Sequence, residues 1–273
     1  GCDPACLDDP ENTISFSATG HLLVHVEAIT GCPHIGLELC RSMGPEVLGP
    51  VGQAMRHAPD VGTALRYMIQ HLHLHDRGAV PFLRENGSHS MLGYTIFYPL
   101  IPGTEHIYDG ALTIVHNVLT EFLGPGWRAT KVCLFRHQPR NITPYRQHFC
   151  TRLHFAAEHA AVVFPSCQLH HPLPEADPDT YHRAQCEIDS LEALGGGSVA
   201  PRVRRLLRQL LATGCAPEDL RLERIAERFA LHPRTLNRRL RAQGTAFNAL
   251  LEQTRYEIAR QLLRDTRLQT AEI

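Results

Sequence analysis

Residues 222–244, LERIAERFALHPRTLNRRLRAQG, constrain the fold more than any other stretch of the chain. Leu222, Ile225, Ala226 and Phe229 recur at the spacing of one apolar helix face. Pro233 then stands where a second helix begins, with its missing N–H harmless and its φ already helical. Leu236 and Leu240 form the buried stripe of that helix, read over residues 233–243, and Gly244 supplies its stop. Between the leucines, Arg234, Thr235, Asn237, Arg238 and Arg241 turn outward. A guanidinium pairs with both major-groove acceptors of guanine, and an amide side chain pairs with adenine. A helix-turn-helix laid into double-stranded DNA is the arrangement these residue types serve. Arginines on a helix are often only a solvated face, so the pattern alone leaves both readings open.

The residues downstream separate them. TAFNALLEQTRYEIARQLLRDTRLQTAEI continues as a long helix with Phe247, Leu250, Leu251, Thr254, Ile258 and Leu262 inward. The RTL-x-RRL core, the Gly-Thr-x-Phe step, the Arg255, Ala259 and Leu263 spine and the closing AEI together resemble the AraC/XylS family of transcription regulators. The resemblance covers about residues 220–273, and it implies that the outward residues of the second helix read bases. Two positions depart from the family pattern: Ala230 stands where Gly is usual, and His232 stands where Ser is usual. His232 is the weaker N-cap, a loss of about 0.5–1 kcal/mol at the helix start. Family members carry two helix-turn-helix units, and AEI is where the second would begin. The chain therefore reads as a fragment of a longer protein, with the second unit expected beyond Ile273.

Charge divides the chain in the same place. From Ala200 onward there are 15 Arg and 8 acidic residues, whereas the first 199 residues hold 12 basic and 20 acidic ones. An acidic half joined to a basic half is the asymmetry of a sensor tied to a nucleic-acid binder. The sequence 195–198, Gly-Gly-Gly-Ser, has the composition of a flexible linker. Before it, Asp177-Pro178 opens a helix with Tyr181, Ala184, Ile188, Leu191 and Leu194 on one face. After it, Pro201 opens another with Val203, Leu206, Leu207, Leu210 and Leu211 inward, expected to pack on the DNA-binding unit.

The N-terminal half reads as mixed α and β. Asp60 leads a helix in which Val61, Ala64, Leu65, Met68, Ile69 and Leu72 share a face. Ile107, Ala111, Ile114, Val115, Val118 and Phe122 mark a second long helix, stopped at Gly124-Pro125-Gly126. MLGYTIFY (91–98), KVCLF (131–135) and AAVVF (160–164) read as strands, and a turn from Pro139 leads into a short helix ending at Phe149. The order of GLELC, GPVGQAM, PDVGTALRYM, His137-Gln138-Pro139-Arg140, YRQHF and LHFAAEHAAVVFP resembles the arabinose-binding-like effector domain of AraC-family regulators of the ornithine-utilisation-regulator type. The resemblance spans about residues 7–194 and does not identify a sugar ligand.

Several function classes find no support. His71 and His75 at i, i+4 spacing with His73 between them, and Cys167 with His170-His171, are the best metal candidates, yet a zinc site needs a third ligand in the right geometry, and no CxxC or HExxH occurs. No residue set has the geometry of nucleophilic catalysis, and Gly44 to Gly52 lacks the Lys-Ser/Thr of a phosphate loop. No apolar run reaches the roughly 18 residues of a membrane-spanning helix, and no signal peptide is visible. Nine cysteines without framework spacing read as reduced, mostly buried thiols of a cytoplasmic protein.

The sequence thus predicts an α+β effector domain over residues 1–194, a linker over 195–198 and an all-α helix-turn-helix DNA-binding region, truncated, over 199–273. It predicts a transcription regulator that binds double-stranded DNA and a small-molecule effector, with no cofactor, metal or catalysis. The effector-binding residues stay unassigned. A homodimer, and RNA polymerase for an activator, are compatible further partners. The alternative is a non-catalytic small-molecule-binding or protein-interaction module, whose tail helix would need exposed apolar anchors instead of Arg234, Asn237 and Arg238.

Overall fold

Strands β1 (Ala79–Asn86) and β2 (His89–Ile96) form a hairpin closed by Gly87 and Ser88, with Asn86 paired to His89. Gly87 takes φ +60° at the first central position of this two-residue loop, where an L side chain would be strained. β2 pairs with β5 (Ala160–Pro165), β5 with β3 (Lys131–Cys133), and β3 with β4 (Leu153–His154). The resulting five-stranded order is β1-β2-β5-β3-β4, antiparallel except for the β3–β4 pair. The computed structural model describes residues 5, 12–76, 78–96, 101–194, 199–213, 216–229 and 231–265, with the backbone alone at 192–194, 212–213 and 261–265. The glycine-rich linker, Ala230, the strand end from Phe97 to Pro99 and the closing AEI lie outside the described residues, as do the side chains of Leu194, Leu262 and Leu263.

Helices surround this sheet. The N-terminal ones are α1 (Phe16–Thr30), α2 (Ile35–Cys40), α3 (Pro50–His57) and α4 (Val61–His71). Asp60 caps α4 by accepting from the Thr63 N–H at 2.6 Å, so the helix starts where the sequence predicts. The long α5 (Thr104–Leu123) and the short α6 (Thr143–Phe149) follow, then α7 (Pro178–Leu194). The face read for α7 holds at Ala184 and Ile188, which are buried, but Leu191 is 43% exposed. α3 covers the first turns of that helix, and Leu191 lies one turn beyond the buried Ile188.

The C-terminal part is helical throughout: α8 (Val199–Thr213), α9 (Leu222–Arg228), α10 (Pro233–Ala242) and α11 (Phe247–Asp265). Helix α8 begins two residues before Pro201. Its Val203, Leu207 and Leu210 join Ile225, Ala226, Leu236, Leu240, Phe247 and Leu250 in one buried cluster. A larger cluster, from Leu37 to Ile188, lies around the sheet. The architecture is therefore α+β followed by an all-α region.

Helix α8 also meets the first cluster. It packs along β1, the edge strand, and Gln209 Nε2 donates to the Ile69 carbonyl of α4 at 2.5 Å. An exposed edge strand is a liability that proteins commonly blunt with a covering helix or a proline, and β1 carries both, with Pro81 within it.

Two buried polar clusters depart from a purely apolar core. Arg136 Nη1 donates to Asp109 Oδ2 and the Pro33 carbonyl at 2.6 and 2.7 Å, and is also paired with the Tyr145 hydroxyl. Tyr145 in turn donates to Asp109 at 2.6 Å. Burial pushes the Asp109 carboxyl up to about 6 against the pull of Arg136, and the pair is ionised at neutral pH. The thiols differ from the expectation: Cys133 is buried, Cys32 and Cys40 are half-buried, and Cys150, Cys167 and Cys186 are exposed, all six unpaired.

His116 forms the second cluster. Its ring lies against Trp127 and Phe149, at centroid distances of 5.5 and 5.2 Å, and among the described residues neither ring nitrogen has a hydrogen-bond partner in good geometry. Burial pulls its pKa from 6.5 down to about 4, with His148 and Arg128 adding repulsion. Between those values the unfolded chain binds the proton that the folded chain refuses, so stability falls as pH drops from 6.5 toward 4. The size of this contribution is roughly 3 kcal/mol when fully developed. His116→Phe should flatten that acid limb. Urea unfolding of both proteins at matched pH values checks it, because the comparison cancels opposing groups such as Asp109; parallel pH profiles would refute it.

Candidate functional site

Two places combine accessible chemistry with rigid support. The first is a cavity of about 1050 Å³ in the N-terminal part. Its walls come from the start of α1, from α2, α4 and α5, from the 3-10 turn Leu72–Leu74, and from β1 and β2. The α5 positions Ile107, Ala111, Ile114 and Val115, predicted as part of a core stripe, line this space, as do Met68 of α4 and Leu72 of the 3-10 turn after it. The sheet-facing core beneath is filled by Leu112, Val118, Leu119 and Phe122 instead. A concave, mostly apolar site with a few polar groups is the usual form of a small-molecule pocket.

The polar groups lie around the start of α1, as Thr13, Ser15, Ser17 and Thr19, and at Cys40, His75, Asp76, Tyr94 and His106. Asp76 accepts from the Gly78 N–H at 2.8 Å and from the Tyr94 hydroxyl. Burial and the Asp76 carboxylate push the Tyr94 phenol well above its ordinary range, so it stays protonated and donates. His106 Nε2 is 2.8 Å from Glu27 Oε2, which ties α5 to α1 across one wall. Cys40 also lines the cavity, but burial lifts its thiol to about 11, so it is no nucleophile at neutral pH. Among the described residues no Lys or Arg lines the cavity.

The wall between α2 and α5 depends on small residues. A Cβ on Gly36 would stand 2.0 Å from the His106 carbonyl oxygen, and one on Gly110 would stand 3.0 Å from the Cys40 sulfur. The GLELC segment of the sequence thus has its glycine where two helix backbones touch.

The histidines do not converge. His71 ends α4 and packs on Tyr67 at 4.4 Å between centroids, whereas His75 lies beyond the 3-10 turn. The helical face that i, i+4 spacing would give them is broken there. Among the described residues no group of three or more His, Cys, Asp and Glu side chains is placed to hold a metal ion.

The second place is the outer face of α10. Leu236 and Leu240 are fully buried, and they fix which side faces the solvent. Arg234, Arg238 and Arg241 are exposed, and Thr235 and Asn237 are half-buried on the flanks. Arg239, which was not singled out from the sequence, is exposed on the same helix. Among the described residues none of these four arginines, nor Asn237, is engaged within the chain. α9 and α10 are separated by four residues, and Gly244 takes φ +73° after α10, as a helix stop requires.

His232 proves to be a working N-cap: its Nδ1 accepts from the Arg234 N–H at 3.3 Å. The bond is long for its type. His232→Ser should therefore stabilise the helical region by about 0.5 kcal/mol and His232→Ala should destabilise it by a similar amount. Thermal unfolding of the three proteins tests this, and a serine variant that melts lower would contradict the geometry.

Comparison with known proteins places the chain. Residues 1–173 match the family described as the arabinose-binding domain of AraC transcription regulators, N-terminal. The chain is 29% identical over 228 residues to the HTH-type transcriptional regulator VirS of Mycobacterium tuberculosis, a match covering 82% of this chain and 65% of that protein. It is 25% identical over 274 residues to the ornithine utilization regulator of Pseudomonas aeruginosa, covering 99% of this chain and 79% of that one. The fold is similar to the crystal structure of the transcriptional regulator CdpR of Pseudomonas aeruginosa, with a TM-score of 0.50 at 18% identity, over 95% of this chain and 89% of that one.

Proposed function

The chain belongs to the AraC transcription regulators that carry an arabinose-binding N-terminal domain, and from that premise we propose that it is a sequence-specific DNA-binding regulator controlled by a small-molecule effector. In this reading residues 1–194 form the effector domain, 195–198 a linker and 199–273 the DNA-binding region. The observation that carries the reading is α10, a helix held by two buried leucines with a row of unengaged arginines on its free side. Arg234, Asn237 and Arg238 read base edges near the start of the helix, and Thr235 and Arg241 contact the flanks and phosphates. The free side carries no apolar anchor, which sets aside a partner-docking tail as the function of this face.

The effector occupies the cavity between α1, α2, α4 and α5. No catalytic step is assigned, and the protein works in the cytoplasm. Homodimers and, for an activator, RNA polymerase complete the set of partners. Signal transfer uses α8: the last turn of α4 lines the cavity with Met68 while its Ile69 carbonyl holds Gln209 of α8. The energy available to that switch is limited to the difference in effector affinity between the two arrangements.

Arg238→Ala in the native regulator should cost about 1–3 kcal/mol at the cognate site and relax preference at one or two base pairs. Selection of binding sites from random duplexes, followed by titration at fixed salt, measures both. Unchanged sequence preference in all three alanine variants, at Arg234, Asn237 and Arg238, would remove α10 as the reading element.

A further inference from the structure

The cavity has a chemical bias that narrows its ligand, on the premise that it is the effector site. Its apolar wall is contributed by α2, α4 and α5, including Leu39, Met68 and Ile114, and by Met43 and Leu48 from the segment between α2 and α3. Its one described side chain with a fixed negative charge is Asp76, in the turn before β1, beside Tyr94 of β2. The start of α1 lies over this turn, because a Cβ on Gly78 would meet the Phe16 ring at 2.2 Å. Asp76 receives hydrogen bonds from two neutral groups, the Gly78 N–H and the Tyr94 hydroxyl, which orient the carboxylate without neutralising it.

We propose that the cavity binds an amphiphile: a flexible hydrocarbon body seated between α2, α4 and α5, with a hydrogen-bond-donating, uncharged or cationic head group at Asp76. A carboxylate head would meet Asp76 as a like charge. A free amino acid fits poorly: its carboxylate meets Asp76 as a like charge, and its short side chain leaves most of the 1050 Å³ unfilled. An alkyl chain gains from every methylene that leaves water, until the space is full.

Direct binding to the intact protein, measured by calorimetry without DNA, tests this with named probes: 1-decanol, decylamine, decanoate and L-ornithine. Decylamine and 1-decanol should bind, decanoate should bind at least about tenfold more weakly, and L-ornithine should give no heat of binding. In the alkylamine series from hexyl to decyl, affinity should tighten about three- to fourfold per methylene. Asp76→Asn should erase the preference for the amine over the carboxylate while leaving the gain per methylene unchanged, because the apolar seat is untouched. Ile114→Trp, which fills the apolar end, should weaken every alkyl probe. Tightest binding by decanoate or L-ornithine, a flat chain-length series, or discrimination unchanged by Asp76→Asn would overturn the proposal. DNA takes no part in the measurement, so a failed assignment of α10 would leave this result standing, and the reverse also holds.

Discussion

Helix α5 has apolar residues on two sides, and much of the N-terminal architecture follows from satisfying both. One side, with Leu112, Val118, Leu119 and Phe122, closes the core over β2 and β5. The other, with Ile107, Ala111, Ile114 and Val115, needs a second cover, and α1 and α2 supply it incompletely. α2 can approach only because Gly36 and Gly110 let backbone and thiol come close, and that contact fixes α2 at one end of the helix pair. The rest of the apolar side stays half-buried around an opening. A protein interior normally fills to crystal-like density, so a space of 1050 Å³ beside a well-packed sheet is a built feature of the packing and not slack.

The Arg136 cluster acts on the same constraint from the outside. Arg136 joins Pro33 just before α2, Asp109 and Glu105 on α5, and Tyr145 on α6. Removing one partner of such a buried pair strands the other charge, at a cost of about 3–5 kcal/mol. The network thereby fixes the loop before α2, α5 and α6 against one another by polar bonds.

What the sequence made legible was whatever had a period. The α4, α5 and α10 stripes, the β5 run and the Pro233 and Gly244 boundaries all rest on local spacing, and the structure has them within a residue or two. β1 was missed because Pro81 and the polar tail Arg84-Glu85-Asn86 argue against a strand, and both are tolerated there because β1 is an edge. α1 was missed for a different reason: Leu22, Val24 and Ile29 are exposed, so its apolar residues do not fall on one face. The cavity was invisible because a helix lining a space and a helix filling a core share the same pattern. For α10 the residues were legible and their exposure agrees, since two buried leucines leave no freedom over which side faces out.

The C-terminal cluster explains why α8 matters to that exposed side. α9 and α10 bury only Ile225, Ala226, Leu236 and Leu240 between them, too little apolar surface for an independent core. α8 completes it with Val203, Leu207 and Leu210, and is clamped to α11 by Arg208 to Glu257 at 2.6 Å. The same helix lies on β1 and is held by α4 through Gln209. Because its inner side chains are part of the cluster that seats α10, α8 cannot shift against the sheet without carrying α10 along. A close-packed core answers such a displacement as a unit instead of absorbing it. The orientation of α10 is thereby set by where α8 rests on the sheet.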